Sequence, residues 1–255
     1  MIDFASLGSG SEGNGLLVRC DETYVLIDCG FSLAQTERRL ARLALEPSQL
    51  SAVLVTHEHS DHLGGVARLA KRYQLPVYAS FGTLSFLRDE INPSQQHIIK
   101  SDDPFQLGDI HIEPFAVPHD AREPLQFVLG DGALRLGVLT DVGATTPHIE
   151  SMLSTCDALF LETNHDRAML MAGPYPQHLK TRVGGAFGHL SNDESAYLLS
   201  RLNHSRLQHV VAAHLSSKNN TPLLAQMALA AVLKCDAIEV AVADQELGLD
   251  WRKVA

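Results

Sequence analysis

The sequence predicts an α/β fold built on mixed β-sheet, and two patterns in its 255 residues predict it. Short runs of alternating apolar residues, typical of half-buried strands, open the chain and recur near its middle. Elsewhere, buried strand-like runs alternate with helical patterns, the order that builds parallel sheet. Neither a repeat nor a low-complexity linker divides the chain, so we predict a single domain over residues 1–255.

The first part of the chain is predicted to begin as sheet and to continue as alternating helix and strand. Ser32 caps an amphipathic helix in which Leu33 and Leu40 recur at helical spacing. A strand, a helix and a strand follow, in the order of a parallel βαβ unit. The predicted strands are Ile2–Leu7, Leu16–Cys20, Tyr24–Asp28, Ser51–Thr56 and Pro76–Ala79, and the predicted helices are Leu33–Leu45 and Gly65–Tyr73.

The middle of the chain is predicted as antiparallel or mixed sheet, because three strand-like runs are separated only by short turns. The α/β rhythm then returns. The predicted strands are Ile110–Val117, Leu125–Leu129, Leu134–Leu139, Ala158–Leu161, Gln208–Ala213 and Ala237–Val242, and the predicted helices are Asn192–Leu202 and Pro222–Leu233.

Composition excludes several classes of protein. Hydrophobic residues make up 45 % of the chain and charged residues 20 %, which excludes wholesale disorder. The net charge of −10 excludes a protein that binds nucleic acid through a broad basic surface. The four cysteines form no CxxC pair, so we predict reduced thiols. The start resembles no export signal and no window approaches the roughly 20 apolar residues that span a bilayer, so we expect a cytoplasmic protein without a membrane partner.

The sharpest feature is an HxHxDH motif, formed by His57, His59, Asp61 and His62 directly after a buried strand. Imidazole nitrogens and carboxylate oxygens without a thiolate suit zinc, manganese or ferrous iron. Alternate residues of a turn can point to different metal sites. His57 and His59 can therefore share one metal ion, while Asp61 and His62 face a second. Further ligands would have to come from other strand ends, where open α/β sheets place their sites.

Four more polar residues end apolar strands, and they are Asp28, His119, Asp141 and His214. Taken alone, each is an ordinary strand-end residue or turn cap. Asp28 precedes the HxHxDH motif, and His119, Asp141 and His214 follow it in that order. The motif and these four residues therefore form one ordered set of polar strand-end residues.

With the motif, these residues resemble the metallo-β-lactamase superfamily over nearly the whole chain. The resemblance implies an αββα four-layer sandwich of two mixed sheets, together with two divalent metal ions, zinc or manganese, with iron also compatible. In the ligand set that it implies, His57, His59 and His119 bind one ion, Asp61, His62 and His214 bind the other, Asp141 bridges them, and Asp28 supports the motif loop without binding metal.

Two further residues favour phosphodiester chemistry. Glu162 ends a predicted strand and His189 precedes a helix, a placement similar to ribonuclease Z, in which an acidic residue orients a histidine that protonates the leaving oxygen. An alkoxide leaving group needs such an acid, whereas thioester or lactam hydrolysis needs it less. We therefore predict Asp61, Glu162 and His189 as catalytic residues, with a metal-bridging hydroxide as the nucleophile.

Several short motifs resemble the YycJ/WalJ-type members of the superfamily, compact cytoplasmic proteins described as exonuclease-like. The motifs include SGSEGN near the start, GHLSN before a helix and AHLSSKNN after the last predicted ligand. The amides of the glycine-serine turn could face a phosphate. Predicted substrate contacts are Ser9, Ser11, Asn14, Asn164 and His165, and the cations available for nucleic acid are Arg38, Arg39, Arg42, Lys180, Arg182 and Lys218.

The leading hypothesis is a dinuclear metal-dependent phosphodiesterase, a nuclease that acts as a 5′-to-3′ exonuclease on DNA ends. Two alternatives stay open. One is a small-molecule metallo-hydrolase of a cyclic phosphodiester or a thioester, which a short acidic chain suits. The other is a non-catalytic metal-binding module, which the intact ligand set disfavours. The expected partner is nucleic acid, DNA rather than RNA, or a small phosphodiester.

Overall fold

The computed structural model describes residues 1–255, which form fourteen strands. Most of them lie where apolar alternation predicts sheet. In chain order the strands are β1 (Ile2–Gly8), β2 (Gly15–Cys20), β3 (Thr23–Ile27), β4 (Ala52–Leu54), β5 (Val77–Ala79), β6 (Gln96–Ile98), β7 (Phe105–Leu107), β8 (Ile110–Ala116), β9 (Leu125–Gly130), β10 (Arg135–Leu139), β11 (Ala158–Glu162), β12 (His209–Ala213), β13 (Ala241–Val242) and β14 (Leu249–Val254).

The strands form two mixed sheets of seven. The first has the order β14-β1-β2-β3-β4-β5-β6, and the second has the order β13-β12-β11-β10-β9-β8-β7. In the first, β1 to β3 and β14 pair antiparallel, and β3 to β6 pair parallel. In the second, β7 to β10 pair antiparallel, and β10 to β13 pair parallel. Each sheet therefore has one parallel half, whose strands all end on the same side.

Helices pack against the outer faces of both sheets. Nine α-helices occur, and none is long and apolar enough to cross a lipid bilayer. They are α1 (Leu33–Arg42), α2 (Ser60–Leu63), α3 (Val66–Tyr73), α4 (Phe81–Leu84), α5 (Pro147–Leu153), α6 (Arg167–Ala172), α7 (Gln177–Val183), α8 (Asn192–Arg201) and α9 (Pro222–Leu233).

Three apolar clusters show how the layers pack. The largest lies between the sheets and joins residues such as Phe4 of β1 to Phe127 of β9. A second cluster packs the outer face of the first sheet against α1 and α3, and a third packs the second sheet against α5, α8 and α9. The order helix, sheet, sheet, helix confirms the predicted αββα sandwich with two mixed sheets.

The predicted strand Ala237–Val242 was wrong over most of its length. Residues Ala237–Glu239 form a 3₁₀ turn, closed because Oε1 of Glu239 accepts a hydrogen bond from the Asp236 N–H at 2.8 Å, and only β13 pairs with the sheet. Sequence reasoning also missed β14, which pairs with β1 at the far end of the chain. Its partner is distant in sequence and its exposed positions are charged, so its apolar alternation is weak.

Candidate metal centre

The residues predicted as metal ligands lie together where strands from both sheets end. His57 follows β4, His119 follows β8, Asp141 follows β10 and His214 follows β12. Their side chains form four overlapping groups in which the ligand atoms all lie within 4.8 Å of one another. The groups are His57, His59 and His119; Asp61, His62 and His214; His57, His62 and Asp141; and Asp141, Glu162, His189 and His214.

Three of the strand-end residues hold the backbone in the left-handed region that favours glycine. The φ angle is +62° at Asp28, +52° at Asp141 and +54° at His214. This conformation costs a non-glycine residue of order 1–3 kcal/mol and persists only where the surroundings impose it, which is common at functional sites. The conformation directs each side chain toward the cluster, and no local sequence signal predicts it.

Asp28 is buried under the HxHxDH loop and holds it in place. Its Oδ1 accepts a hydrogen bond from the Thr56 N–H and its Oδ2 accepts one from the Thr56 hydroxyl, both at 2.8 Å. Oδ2 also lies 2.8 Å from Nδ1 of His62. Because Asp28 occupies Nδ1, the Nε2 of His62 is the nitrogen that faces the cluster, 2.9 Å from Oδ2 of Asp141.

The other buried imidazoles are oriented in the same way. Nδ1 of His57 lies 3.0 Å from the hydroxyl of the preceding threonine. Nδ1 of His119 lies 3.0 Å from the carbonyl oxygen of Gly188, and Nδ1 of His214 lies 3.3 Å from Oε1 of Glu162. Each ring therefore presents Nε2 to the cluster, the arrangement that fixes histidine ligands in metal sites.

Two buried imidazole nitrogens of the cluster have no hydrogen-bond partner. They are Nε2 of His57 and Nε2 of His214. Burial of unpaired polar atoms is unfavourable unless another group binds them. The unpaired atoms and the donor set of imidazole nitrogen and carboxylate oxygen together fit divalent cations.

The carboxylates also set the protonation of the imidazoles. Burial opposes a charge on His214, but Asp141, Asp61 and Glu162 together outweigh it and raise the pKa of His214 to about 10. Asp141 and Asp28 likewise raise the pKa of His62 against the effect of burial. At His57 burial prevails and lowers the pKa. Protonated imidazoles thus offset part of the negative charge of the carboxylates. A bound cation would neutralise the same charge.

Glu162, the last residue of β11, is fully buried and joins His189 to the cluster. Its Oε1 lies 2.8 Å from Nδ1 of His189 and 3.3 Å from Nδ1 of His214. Its Oε2 accepts hydrogen bonds from the backbone N–H groups of Val142 and Leu190. Burial opposes its ionisation, but the charge of His189 and the hydrogen bonds with His189 and His214 together outweigh that effect and lower the pKa of Glu162 to about 2. One carboxylate thus orients both histidines.

A cleft of about 390 Å³ opens onto the cluster. Sequence reasoning missed one of its lining residues, Asp120, although it directly follows His119. Oδ1 of Asp120 lies 3.5 Å from Nε2 of His119, and Oδ2 accepts a hydrogen bond from Nε of Arg182 at 2.6 Å. The cleft is lined by Ser11, His59, Ser60, Asp61, Asp120, Asp141, Tyr175, Leu179, Arg182, Val183, Gly188, His189 and His214.

Four residues predicted to contact substrate, Ser9, Asn14, Asn164 and His165, lie outside this lining. Oγ of Ser9 accepts a hydrogen bond from the His214 N–H at 2.9 Å, and Nδ2 of Asn164 donates to the His214 carbonyl at 2.8 Å. Both residues are buried, and so is His165. Ser9 and Asn164 therefore position the backbone of His214 from beneath the site.

The glycine-serine turn uses most of its amides within the protein. The N–H of Gly10 donates to Oδ1 of Asn14 at 2.9 Å, and the N–H of Gly13 donates to the Gly10 carbonyl at 3.2 Å. Asn14, predicted to contact substrate, is buried, and its N–H donates to the Asp61 carbonyl at 2.8 Å. The turn thus supports Asp61, and Ser11 is the one predicted contact residue that lines the cleft.

Two of the basic side chains predicted to be available for nucleic acid instead form hydrogen bonds with the protein backbone. Arg39 donates to the carbonyl of Leu7 at 2.8 Å, and Arg42 donates to the carbonyl of Ser6 at 2.8 Å. Of the six cations considered, only Arg182 lines the cleft.

Known proteins resemble this chain over most of its length. Residues 23–214 match the family model described as the beta-lactamase superfamily domain. The exodeoxyribonuclease YycJ of Bacillus anthracis is 36 % identical over 236 residues, which cover 91 % of this chain and 89 % of that protein. The exodeoxyribonuclease WalJ of Streptococcus pneumoniae is 33 % identical over 256 residues, which cover 98 % of this chain and 92 % of that protein.

A solved structure agrees in fold. The metallo-β-lactamase fold protein YhfI from Bacillus subtilis superposes with a TM-score of 0.75 at 16 % identity, covering 99 % of this chain and all of that chain. At this identity the likeness concerns the fold alone, and it matches the two seven-stranded sheets flanked by helices.

Proposed function

Because this chain belongs to the beta-lactamase superfamily, we propose that it is a metal-dependent phosphodiesterase that degrades DNA from its ends in the 5′-to-3′ direction. The names of the two exodeoxyribonuclease relatives support DNA as the substrate. The direction follows the resemblance of the short motifs to the exonuclease-like group. One observation carries the proposal: the contact between His189 and Glu162 beside the ligand cluster supplies the proton donor that an alkoxide leaving group needs.

We assign two divalent cations to the cluster, because its ligand atoms form more than one group and two of them, Nε2 of His57 and Nε2 of His214, have no hydrogen-bond partner. When bound, the cations would lower the pKa of a water molecule and stabilise negative charge on the phosphoryl oxygens. His57, His59 and His119 would hold one of them, Asp61, His62 and His214 would hold the other, and Asp141, whose carboxylate belongs to a ligand group with His57 and His62, would add a further ligand.

His189 is proposed to protonate the leaving oxygen. Glu162 holds Nδ1 of His189 at 2.8 Å, so Nε2 is the nitrogen left for the substrate in the cleft. The His189 side chain is 22 % exposed, whereas Glu162 is completely buried. The carboxylate fixes the orientation of the ring and favours its charged form, which keeps a proton available for the departing sugar oxygen.

Asp61 is proposed to orient the attacking water. Its Oδ2 lies 3.4 Å from Nε2 of His62 and 3.6 Å from Nε2 of His214, and the residue lines the cleft. Burial opposes its ionisation, but hydrogen bonds with His214 and His62 lower the pKa of Asp61. The carboxylate therefore stays ionised and accepts a hydrogen bond from the water that attacks phosphorus.

The function is tested by a substrate panel with metal-reconstituted protein. We expect mononucleotides to be released from the 5′ end of labelled DNA when Mn²⁺ or Zn²⁺ is supplied, and we expect a chelator to stop the release. RNA, a cyclic phosphodiester and a thioester are assayed alongside. Turnover of only the cyclic diester or the thioester would identify a small-molecule hydrolase instead, and turnover of no substrate would contradict an enzymatic role.

A further inference from the structure

The cleft has one permanently charged cation in its wall, Arg182 of α7. Three aspartates line the cleft with it, and no lysine or other arginine does. Nε of Arg182 donates to Oδ2 of Asp120 at 2.6 Å, whereas its two terminal nitrogens bond no protein atom. The side chain is 61 % exposed. One edge of the guanidinium is therefore fixed, and the remaining donors are free at the cleft.

Arg182 lies on the same wall of the cleft as His189. The carbonyl of Val183 accepts a hydrogen bond from the His189 N–H at 2.8 Å. A Cβ added at Gly188 would come within 2.2 Å of the Arg182 carbonyl oxygen, so the end of α7 packs directly on residues 188–189. Because His189 is the proposed proton donor, this wall is the leaving-group side.

The chemistry of stepwise digestion places one more phosphate on that side. When the 5′-terminal nucleotide is released, water attacks phosphorus and the bond from phosphorus to O3′ of that nucleotide breaks. The water oxygen stays on the new 5′-phosphate of the remaining strand, and O3′ takes the proton from His189. The departing nucleotide carries its own 5′-phosphate on the leaving-group side.

We propose that Arg182 binds the 5′-phosphate of the terminal nucleotide, so that the enzyme prefers 5′-phosphorylated ends to 5′-hydroxyl ends. The inference rests on the proposed function and adds the end group of its substrate. A guanidinium presents parallel N–H donors that match phosphate oxygens, and the contact with Asp120 reduces the freedom that it would lose on binding. No second cation lines the cleft to replace it.

The test compares kcat/KM on two DNA oligonucleotides of one sequence, with a 5′-phosphate or a 5′-hydroxyl end. The unmodified protein should prefer the phosphate. Arg182→Ala should lower kcat/KM about 10- to 100-fold on the phosphorylated end, the usual effect of losing charge-assisted hydrogen bonds, and change it little on the hydroxyl end. Arg201→Ala is the matched control, because Arg201 pairs with Glu150 outside the cleft and its loss should leave both rates unchanged.

Equal losses on both ends would show that Arg182 only anchors α7 through Asp120, and would overturn the inference while the proposed function stands. If Arg182→Ala does not fold, the inference is tested by inhibition of the unmodified protein. A nucleoside 5′-monophosphate should inhibit DNA hydrolysis more strongly than the nucleoside. Equal inhibition by the two would overturn the inference. Hydrolysis of neither oligonucleotide would instead contradict the proposed function itself.

Discussion

Replacing His189 with alanine is expected to lower the rate on DNA by about 10² to 10⁴ while the metal content stays unchanged. The reason is geometric: Glu162 lies at Nδ1 of His189, and the ring lines the cleft, where we propose that it donates the proton. A nitrophenolate leaves without a proton, so the loss on a nitrophenyl phosphodiester should be much smaller. The measurement is kcat/KM of the variant on both substrates, with bound metal determined on the same samples.

Metal content is essential to this test. Ligand atoms of His189 and Glu162 lie within 4.8 Å of those of Asp141 and His214, so His189 is near enough to bind metal itself. Equal losses on the two substrates, or loss of metal, would show that His189 is not the acid. Glu162→Gln provides a contrast: since Glu162 also holds His214, this variant should lose activity and metal affinity together.

Asp61→Asn is expected to reduce turnover to background in protein that remains folded and metallated. Asparagine has nearly the same shape, but it lacks the charge with which Asp61 accepts a hydrogen bond from water beside His62 and His214. Turnover is measured on DNA after full metal reconstitution.

The control for this variant is Glu58→Gln, which neutralises the other carboxylate of the same loop. Oε1 of Glu58 accepts a hydrogen bond from the Arg122 N–H at 2.7 Å, and Glu58 does not line the cleft. Glu58→Gln should therefore keep its turnover. An Asp61→Asn protein that is fully metallated and still active would remove Asp61 from the mechanism.

The sequence was sufficient to predict the fold and to show which polar residues lie at strand ends. Strands such as β4, β10 and β12 are marked by apolar runs, and a polar residue just beyond such a run must lie at a strand end. Because parallel strands end on one side of a sheet, Asp141 and His214 of the second sheet could be expected to converge. That His57, which follows a strand of the first sheet, joins them was implied only by the resemblance to the superfamily.

What the sequence did not reveal depends on contacts between distant residues. Ser9 and Asn164 have the polar side chains of phosphate-binding residues, yet they bond the backbone of His214 from beneath. Only the tertiary structure shows on which side of a loop such a residue lies. Arg39 and Arg42 likewise resemble surface cations in sequence, although both donate to backbone carbonyls of β1.

The central claim is that two divalent cations bound at the strand-end cluster enable this chain to hydrolyse phosphodiester bonds. The most direct measurement is a titration of metal-free protein with Mn²⁺ or Zn²⁺, with bound metal per chain and DNA turnover recorded at each step. We expect saturation at two ions per chain and turnover that rises as the sites fill. Saturation at one ion or none, or undiminished turnover in the metal-free protein, would contradict the claim.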